Sequence, residues 1–135
     1  MSRFHKILSF AIFGAGLAIA QDPAAYRRCI DGATSQRAIN ACANEDARRS
    51  DADLNEVYQK LLSAVASQPD FVKKITTAER TWIAYRDAYI DAMYPARDKQ
   101  VMYGSIFPME VDLLRAKLTR QQKDGLERRI AKQIK

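Results

Sequence analysis

The sequence predicts an all-α fold, a small antiparallel helical bundle of three main helices with a short helix at the amino terminus. In three long segments, apolar residues recur at three- and four-residue steps, which is the spacing of one helix face. The strict alternation that predicts a half-buried strand does not occur in the sequence. Prolines and glycines separate the apolar segments, and a length of 135 residues suits a single domain.

The amino terminus has the three-part layout of a secretory signal peptide. Residues 1–6 are basic and carry no acids, residues 7–17 are apolar, and residues 18–20 place alanine on both sides of an isoleucine. An uncleaved membrane anchor is the alternative, but the apolar run is shorter than the roughly 20 residues that span a bilayer. We therefore expect cleavage after Ala20, a mature domain of residues 21–135 without a transmembrane segment, and a periplasmic or secreted location.

Cleavage would remove the only histidine, His5, and leave a mature chain without imidazole. This excludes histidine acid–base catalysis, a Ser-His-Asp or Cys-His arrangement and any zinc site that needs histidine. The three glycines that remain, Gly32, Gly104 and Gly125, are too dispersed for a phosphate-binding loop. We therefore predict no catalytic residues, no metal ligands and no cofactor.

The first two helices are predicted from their end signals and one apolar stripe. Residues 24–31 can make two helical turns that stop at Gly32, and Thr34 or Ser35 can cap the next helix. The stripe of that helix consists of Ile39, Cys42, Ala43, Leu54, Val57, Tyr58, Leu61, Leu62 and Val65. The polar residues 44–53 either lie on the exposed side of one long helix or interrupt it, because Ser50 and Asp53 could cap a restart.

Cys29 and Cys42 are the only cysteines in the sequence. In an exported protein an even pair indicates a disulfide, which for a loop of this size contributes up to about 3 kcal/mol in the chain-entropy model. A redox-active pair is the alternative, but such pairs usually have Cys-x-x-Cys spacing. We therefore predict a structural disulfide between these residues.

Pro69 suits the first turn of a third helix, and Pro95 ends it. Its predicted apolar face consists of Phe71, Ile75, Ala78, Trp82, Tyr85, Tyr89 and Ala92. Residues 94–107 show no sustained period and are predicted as a loop, after which Pro108 can open the last helix. The apolar residues of that helix are Val111, Leu114, Leu118, Leu126, Ile130 and Ile134. Gly125 weakens it by about 1 kcal/mol relative to alanine.

Three segments carry a resemblance to a known family: residues 40–43, 51–58 and 78–87. Their characteristic residues are Asn40, Asp51, Asn55, Tyr58, Arg80, Trp82, Arg86 and Asp87. In this order the segments resemble the lysozyme inhibitor LprI N-terminal family of small exported helical proteins, over residues 29–119. The resemblance implies a lysozyme inhibitor that is not an enzyme.

The sequence departs from the family pattern at a second cysteine pair and at one arginine. The places of those cysteines hold Ile90 and Leu114 or its neighbour, and both side chains are apolar. We expect Ile90 and Leu114 to pack against each other instead. The arginine that relatives usually carry in the last helix falls at Gln122.

The polar motif residues have a structural and a functional interpretation. Trp82 and Arg86 are one turn apart, so the guanidinium can stack on the indole. Across an antiparallel helix pair, the carboxylate of Asp51 and its neighbours Asn55 and Tyr58 can satisfy the donors of Arg80 or Arg86. Such a network either fixes the register of the helices or forms a recognition surface, and the structural interpretation is favoured.

Charge is distributed unevenly along the sequence. Residues 21–114 carry 12 Lys/Arg and 14 Asp/Glu, whereas residues 115–135 carry 8 and 2, a local net charge of +6. The basic last helix is either a solvated face or a surface for an anionic partner such as lipid headgroups or cell-wall polymer. Nucleic acid is not an expected partner, because basic and aromatic residues are not interleaved.

Three functions are compatible with these observations. A lysozyme inhibitor with a net charge of +4 gains nothing from long-range attraction to a cationic lysozyme, so it needs a local acidic surface. Residues 45–56 supply one, with Asp46, Asp53 and Glu56 as the expected binding residues. The alternative is an envelope module that binds membrane, cell wall or another exported protein through the basic last helix.

The third function, a hydrolase, would use paired carboxylates such as Glu79 with Asp87 or Asp91. Glycosidases need two carboxyl groups about 5–10 Å apart in a cleft. Carboxylates near arginine or lysine are ordinary on a helix surface, so an enzyme is not predicted.

Overall fold

Residues 23–133 are described by a computed structural model, and the predicted signal peptide and Ile134 lie outside them. The helices are α1 (Pro23–Asp31), α2 (Gln36–Ala64), α3 (Pro69–Met93), α4 (Lys99–Tyr103) and α5 (Phe107–Gln133), with a 3-10 turn at Gly104–Ile106. This part of the chain contains no strand, and none of its helices is long and apolar enough to cross a membrane. The prediction of an all-α fold is confirmed.

The hydrogen bonds between helices give the direction of each one. Asn44 bonds to Asp112 and Thr119 bonds to Asp51, and both pairs are 68 residues apart, so α2 and α5 run parallel. The first half of α3 contacts the end of α2 and its second half contacts the middle of α2, so α3 runs antiparallel to both. α2 and α5 pack closely along their length, whereas α3 lies further from α2 and leaves a groove between them.

The apolar core fills one end of this bundle. Its buried residues are Leu54, Val57, Leu61, Val65 and Leu126, and the partly buried residues packed against them are Tyr58, Phe71, Val72, Ile75, Trp82 and Ile130. They come from the second half of α2, the first half of α3 and the second half of α5, which the up-down-up order brings together. At the other end, polar networks, a disulfide and an aromatic cluster hold the helices in place.

α2 is one continuous helix. The hydroxyl of Ser35 caps it by accepting a hydrogen bond from the N–H of Ala38, at 3.2 Å. In the middle, the Ser50 hydroxyl donates to the carbonyl of Asp46 at 2.9 Å, so Ser50 does not cap a restart. The polar interval is not wholly exposed either, because Asp46, Ala47 and Ser50 are buried. Its polarity therefore reflects hydrogen bonding to α5.

The buried face of α3 differs from the predicted one. Four residues that the sequence places on the apolar face are exposed: Ala78, Tyr85, Tyr89 and Ala92. Glu79, Arg86 and Ile90 are buried in their place. The prediction was wrong for these four residues, because a stripe chosen by hydrophobicity leaves out buried charged residues. Phe71, Ile75 and Trp82 do pack against the core as predicted.

The predicted loop at residues 94–107 contains helical structure. Asp98 caps α4 by accepting a hydrogen bond from the N–H of Val101 at 3.0 Å. The rings of Tyr94, Tyr103 and Phe107 pack together with centroids 5.2–5.6 Å apart. This aromatic cluster holds the end of α3 against α4 and the start of α5. Its ring contacts stabilise the connection, which the short helix α4 could not do alone.

The predicted disulfide is confirmed. Cys29 and Cys42 are bonded, with their Cα atoms 5.7 Å apart, and no free cysteine occurs in residues 23–133. The bond ties α1 to the first half of α2. At the places of the family's second cysteine pair, Ile90 is buried and Leu114 is half-buried, and the packing of one against the other stays a prediction.

Candidate functional site

The groove between α2 and α3 contains most of the polar family motif. Its volume is about 390 Å³, within the usual range for ligand sites. The α2 wall consists of Asp51, Leu54, Asn55 and Tyr58, and the α3 wall of Thr76, Glu79, Arg80, Ile83 and Arg86. The walls combine apolar side chains with carboxylates, guanidinium groups and an amide, so the groove can contact a ligand that is itself partly apolar and partly charged.

Arg86 lies at the base of the groove and is only 8% exposed. Its Nη1 donates to Asp51 Oδ1 at 2.8 Å and to Thr119 Oγ1 at 3.0 Å, and its Nε donates to Asp87 Oδ1 at 3.0 Å. The guanidinium carbon also lies 5.3 Å from the centre of the Trp82 ring. The predicted contacts of Arg86 with Asp51 and with Trp82 are therefore both present, and the additional bond to Thr119 joins α5 to α2 and α3.

The remaining motif residues divide into two groups. Tyr58 donates its hydroxyl hydrogen to Thr76 Oγ1 at 3.0 Å, which links α2 to α3. Asn40 lies far from the groove, where its amide nitrogen donates to the Ser105 carbonyl at 3.0 Å. Asn55 and Arg80 line the groove and are exposed.

Within residues 23–133 Asn55 and Arg80 form no side-chain hydrogen bond or ion pair, so Arg80 does not share the role of Arg86. The motif therefore supplies both internal links and surface groups that remain accessible to a partner.

Glu79 is a groove residue that the sequence did not single out as a binding residue. It is 6% exposed, and Gln122 Nε2 of α5 donates a hydrogen bond to its Oε2 at 2.8 Å. No lysine or arginine within residues 23–133 forms an ion pair with it. The sequence carries one indication of this: the arginine that relatives usually have falls at Gln122, which is the residue that contacts Glu79.

The three predicted acidic binding residues do not form one surface. Asp46 is 5% exposed and faces α5, where Arg120 Nη2 donates to its Oδ2 at 3.0 Å. Asp53 is half-buried, and Glu56 is exposed and pairs with Lys60 at 2.6 Å. The expectation that Asp46 belongs to an exposed acidic patch is therefore corrected, because its charge is used inside the bundle.

The basic last helix also uses part of its charge internally. Arg115 pairs with Asp112 at 2.6 Å, and Lys123 pairs with Glu127 at 2.9 Å. The exposed cations of α5 for which the described part of the chain shows no ion pair are Lys117, Arg128, Arg129 and Lys132. Among the described residues there is also no cluster of acidic or cysteine side chains suited to a metal ion.

Comparison with known proteins identifies a family over most of the described residues. The family model described as lysozyme inhibitor LprI matches residues 29–126, which cover the disulfide, the groove and the Arg86 contacts. The chain is also 33% identical over 102 residues to the uncharacterized protein R02472 of Rhizobium meliloti (strain 1021), covering 67% of this chain and 70% of that protein. No solved structure matches. The chain therefore belongs to the lysozyme inhibitor LprI family.

Proposed function

We propose that this chain is an exported, non-enzymatic protein that binds and inhibits a lysozyme. The family match carries the proposal, because it extends over α2, α3 and most of α5. The bond between Cys29 and Cys42 supports export, since disulfides form and persist in oxidising compartments. Together these observations favour a protein partner in the envelope or outside the cell.

The distribution of charge favours local contacts with a cationic partner. The half-buried Asp53 and the exposed Glu56 are the acidic residues of α2 that we propose as contacts. Asp53 forms no ion pair within residues 23–133, and Glu56 shares its charge with Lys60 in an exposed pair that contributes little to stability. Asp46 contributes indirectly, because its contact with Arg120 fixes α5 beside α2.

The direct test is a titration of the purified exported protein against several lysozymes, including a cationic animal-type enzyme, with lysis of cell-wall substrate as the readout. We expect inhibition of at least one enzyme that saturates near one inhibitor per enzyme. If every lysozyme stays fully active at a large molar excess, the proposal fails. Binding to vesicles of anionic lipid would then test the alternative, attachment to the envelope through the exposed cations of α5.

A further inference from the structure

Glu79 differs from the other buried carboxylates in the described part of the chain. Asp46 and Asp112 are also buried, and each pairs with an arginine of α5. Glu79 instead accepts a hydrogen bond from the neutral amide of Gln122. An amide supplies a donor but no positive charge, and burial of a carboxylate is unfavourable unless a cation compensates it. The interior therefore leaves the charge of Glu79 uncompensated.

The groove gives this carboxylate access to a partner. Glu79 lines it together with Asp51, whose side chain is 46% exposed and shares the single guanidinium of Arg86 with Asp87. The remaining cation of the groove, Arg80, is exposed, so water and salt screen it more than they screen the buried Glu79. The inner part of the groove is thus suited to a positive group.

The groove also contains apolar side chains, so a ligand that fits it needs an apolar part beside its positive group. Leu54 lies in the core at the inner side of the groove, and Ile83 is 42% exposed on the opposite wall. The ring of Tyr58 is held beside them by its hydrogen bond to Thr76. Lysine and arginine carry a positive head on an aliphatic stem, which matches a carboxylate behind apolar walls.

We propose that the groove between α2 and α3 receives a lysine or arginine side chain presented by a cationic protein partner. The proposal rests on the proposed function in taking that partner to be a lysozyme. The head of the side chain reaches Glu79 and Asp51, and its stem packs between Leu54 and Ile83. This contact is separate from Asp53 and Glu56, which do not line the groove.

A small probe tests the groove without any lysozyme. Nα-acetyl-lysine amide is titrated into the isotope-labelled exported protein, with Nα-acetyl-norleucine amide as a probe that has the stem without the charge. We expect the lysine probe to shift the amide resonances of Glu79 and Ile83, and the norleucine probe to shift them several-fold less. Equal responses to the two probes, or none at the groove, would overturn the proposal.

Two substitutions remove the unpaired charge in different ways. Glu79→Gln keeps an oxygen for the Gln122 hydrogen bond, and Gln122→Arg supplies an internal cation from outside the groove lining. Both should weaken binding of the lysine probe at least tenfold, with a thermal unfolding midpoint equal to or above that of the wild type. Asp124→Asn, at an exposed carboxylate of α5, is the matched control and should bind normally.

The sign of the occupant is tested by Arg80→Gln, which should leave probe binding unchanged or strengthen it. Loss of partner binding in Arg80→Gln with normal binding in Glu79→Gln would show an anionic occupant and refute the proposal.

Lysozyme assays separate this inference from the proposed function. If the wild type inhibits a lysozyme and Glu79→Gln inhibits it equally well, the groove proposal fails and the function stands. If the wild type inhibits none but binds the lysine probe through Glu79, the function fails while the groove stands.

Discussion

Arg86 connects the three long helices through one side chain. Its planar guanidinium reaches Asp51 of α2, Asp87 of α3 and Thr119 of α5, and its face lies against Trp82. A compact ammonium group cannot make this set of contacts, because its donors are not arranged as a rigid fork. The side chain therefore fixes the spacing of the helices where the apolar core is thin.

Arg86→Lys should lower the free energy of unfolding by about 1.5–3 kcal/mol, the usual contribution of hydrogen bonds to charged groups. Urea denaturation measures the change. Arg80→Lys is the control, because Arg80 is exposed and should change stability by about 0.5 kcal/mol or less. Similar losses in the two variants would contradict the special role of Arg86.

Trp82 and Tyr85 test which face of α3 is buried. Trp82 is partly buried against the core, so Trp82→Ala should cost about 3 kcal/mol, the low end of the range for large aromatic residues. Tyr85 is 60% exposed, so Tyr85→Ala should cost about 0.5 kcal/mol or less. Denaturant midpoints of the two variants check this, and a Trp82→Ala protein as stable as wild type that had lost its partner would instead indicate a recognition role.

Two tyrosines make the free energy of unfolding depend on pH in the alkaline range. Burial raises the pKa of Tyr94 above 10.0, with Glu110 and Tyr103 adding to it, and burial and then Asp46 raise the pKa of Tyr26. Because the folded state holds these protons more tightly, their contribution is complete below about pH 10 and is lost as pH rises through the folded pKa values.

The double variant Tyr26→Phe/Tyr94→Phe should therefore lose less stability than wild type between pH 9 and pH 11. Denaturant midpoints at each pH give the measurement, with the exposed Tyr85→Phe as control. An unchanged slope in the double variant would contradict this origin.

At the scale of the helices, the sequence predicted what local patterns determine. The ends at Gly32, Ser35 and Pro69 agree with the structure, because caps and prolines act within one turn. The exposed side of α3 and the short helix α4 were not predicted. Glu79 and Arg86 are buried only because α2 and α5 supply partners. The short helix α4 is accompanied by ring contacts between the end of α3 and the start of α5, which hydrophobic periodicity does not reveal.

The candidate site shows the same division between local and tertiary information. The sequence limited the partner of Asp51 to Arg80 or Arg86, because both arginines lie on the neighbouring antiparallel helix, and the structure shows that Arg86 forms the pair. The burial of Asp46 could not, since it requires Arg120 from a helix 74 residues further along the chain. The unpaired charge of Glu79 could not be predicted either, because only the fold shows that its partner is the neutral amide of Gln122.

The disulfide determines how firmly α1 attaches to α2. Replacing both Cys29 and Cys42 with serine should lower stability by up to about 3 kcal/mol in the chain-entropy model and release α1 first. Hydrogen exchange of the α1 amides measures that release, and the intact protein should weigh two hydrogens less than its reduced form. Free thiols in protein from an oxidising compartment would contradict the pairing.

At the scale of the whole molecule, internal pairing reduces the charge that remains on each surface. Arg120 of α5 neutralises Asp46 of α2, and Arg115 neutralises Asp112 within α5. The charges that remain on the surface are of both signs on α2 and mainly positive at the end of α5. The proposed lysozyme contact uses acidic residues of α2, and the alternative uses the basic end of α5, so charge variants can separate the two.

The last prediction concerns those two sets of residues. Asp53→Asn/Glu56→Gln should weaken lysozyme inhibition several-fold without reducing helical content, because within residues 23–133 neither side chain forms a hydrogen bond or ion pair with another helix. Arg128→Gln/Arg129→Gln/Lys132→Gln should leave inhibition unchanged or improve it, since it removes charge of the same sign as a cationic lysozyme. Substitution is preferable to truncation because Ile130 packs against the core. The reverse pattern, with binding lost only in the triple variant, would assign the protein to an anionic envelope surface.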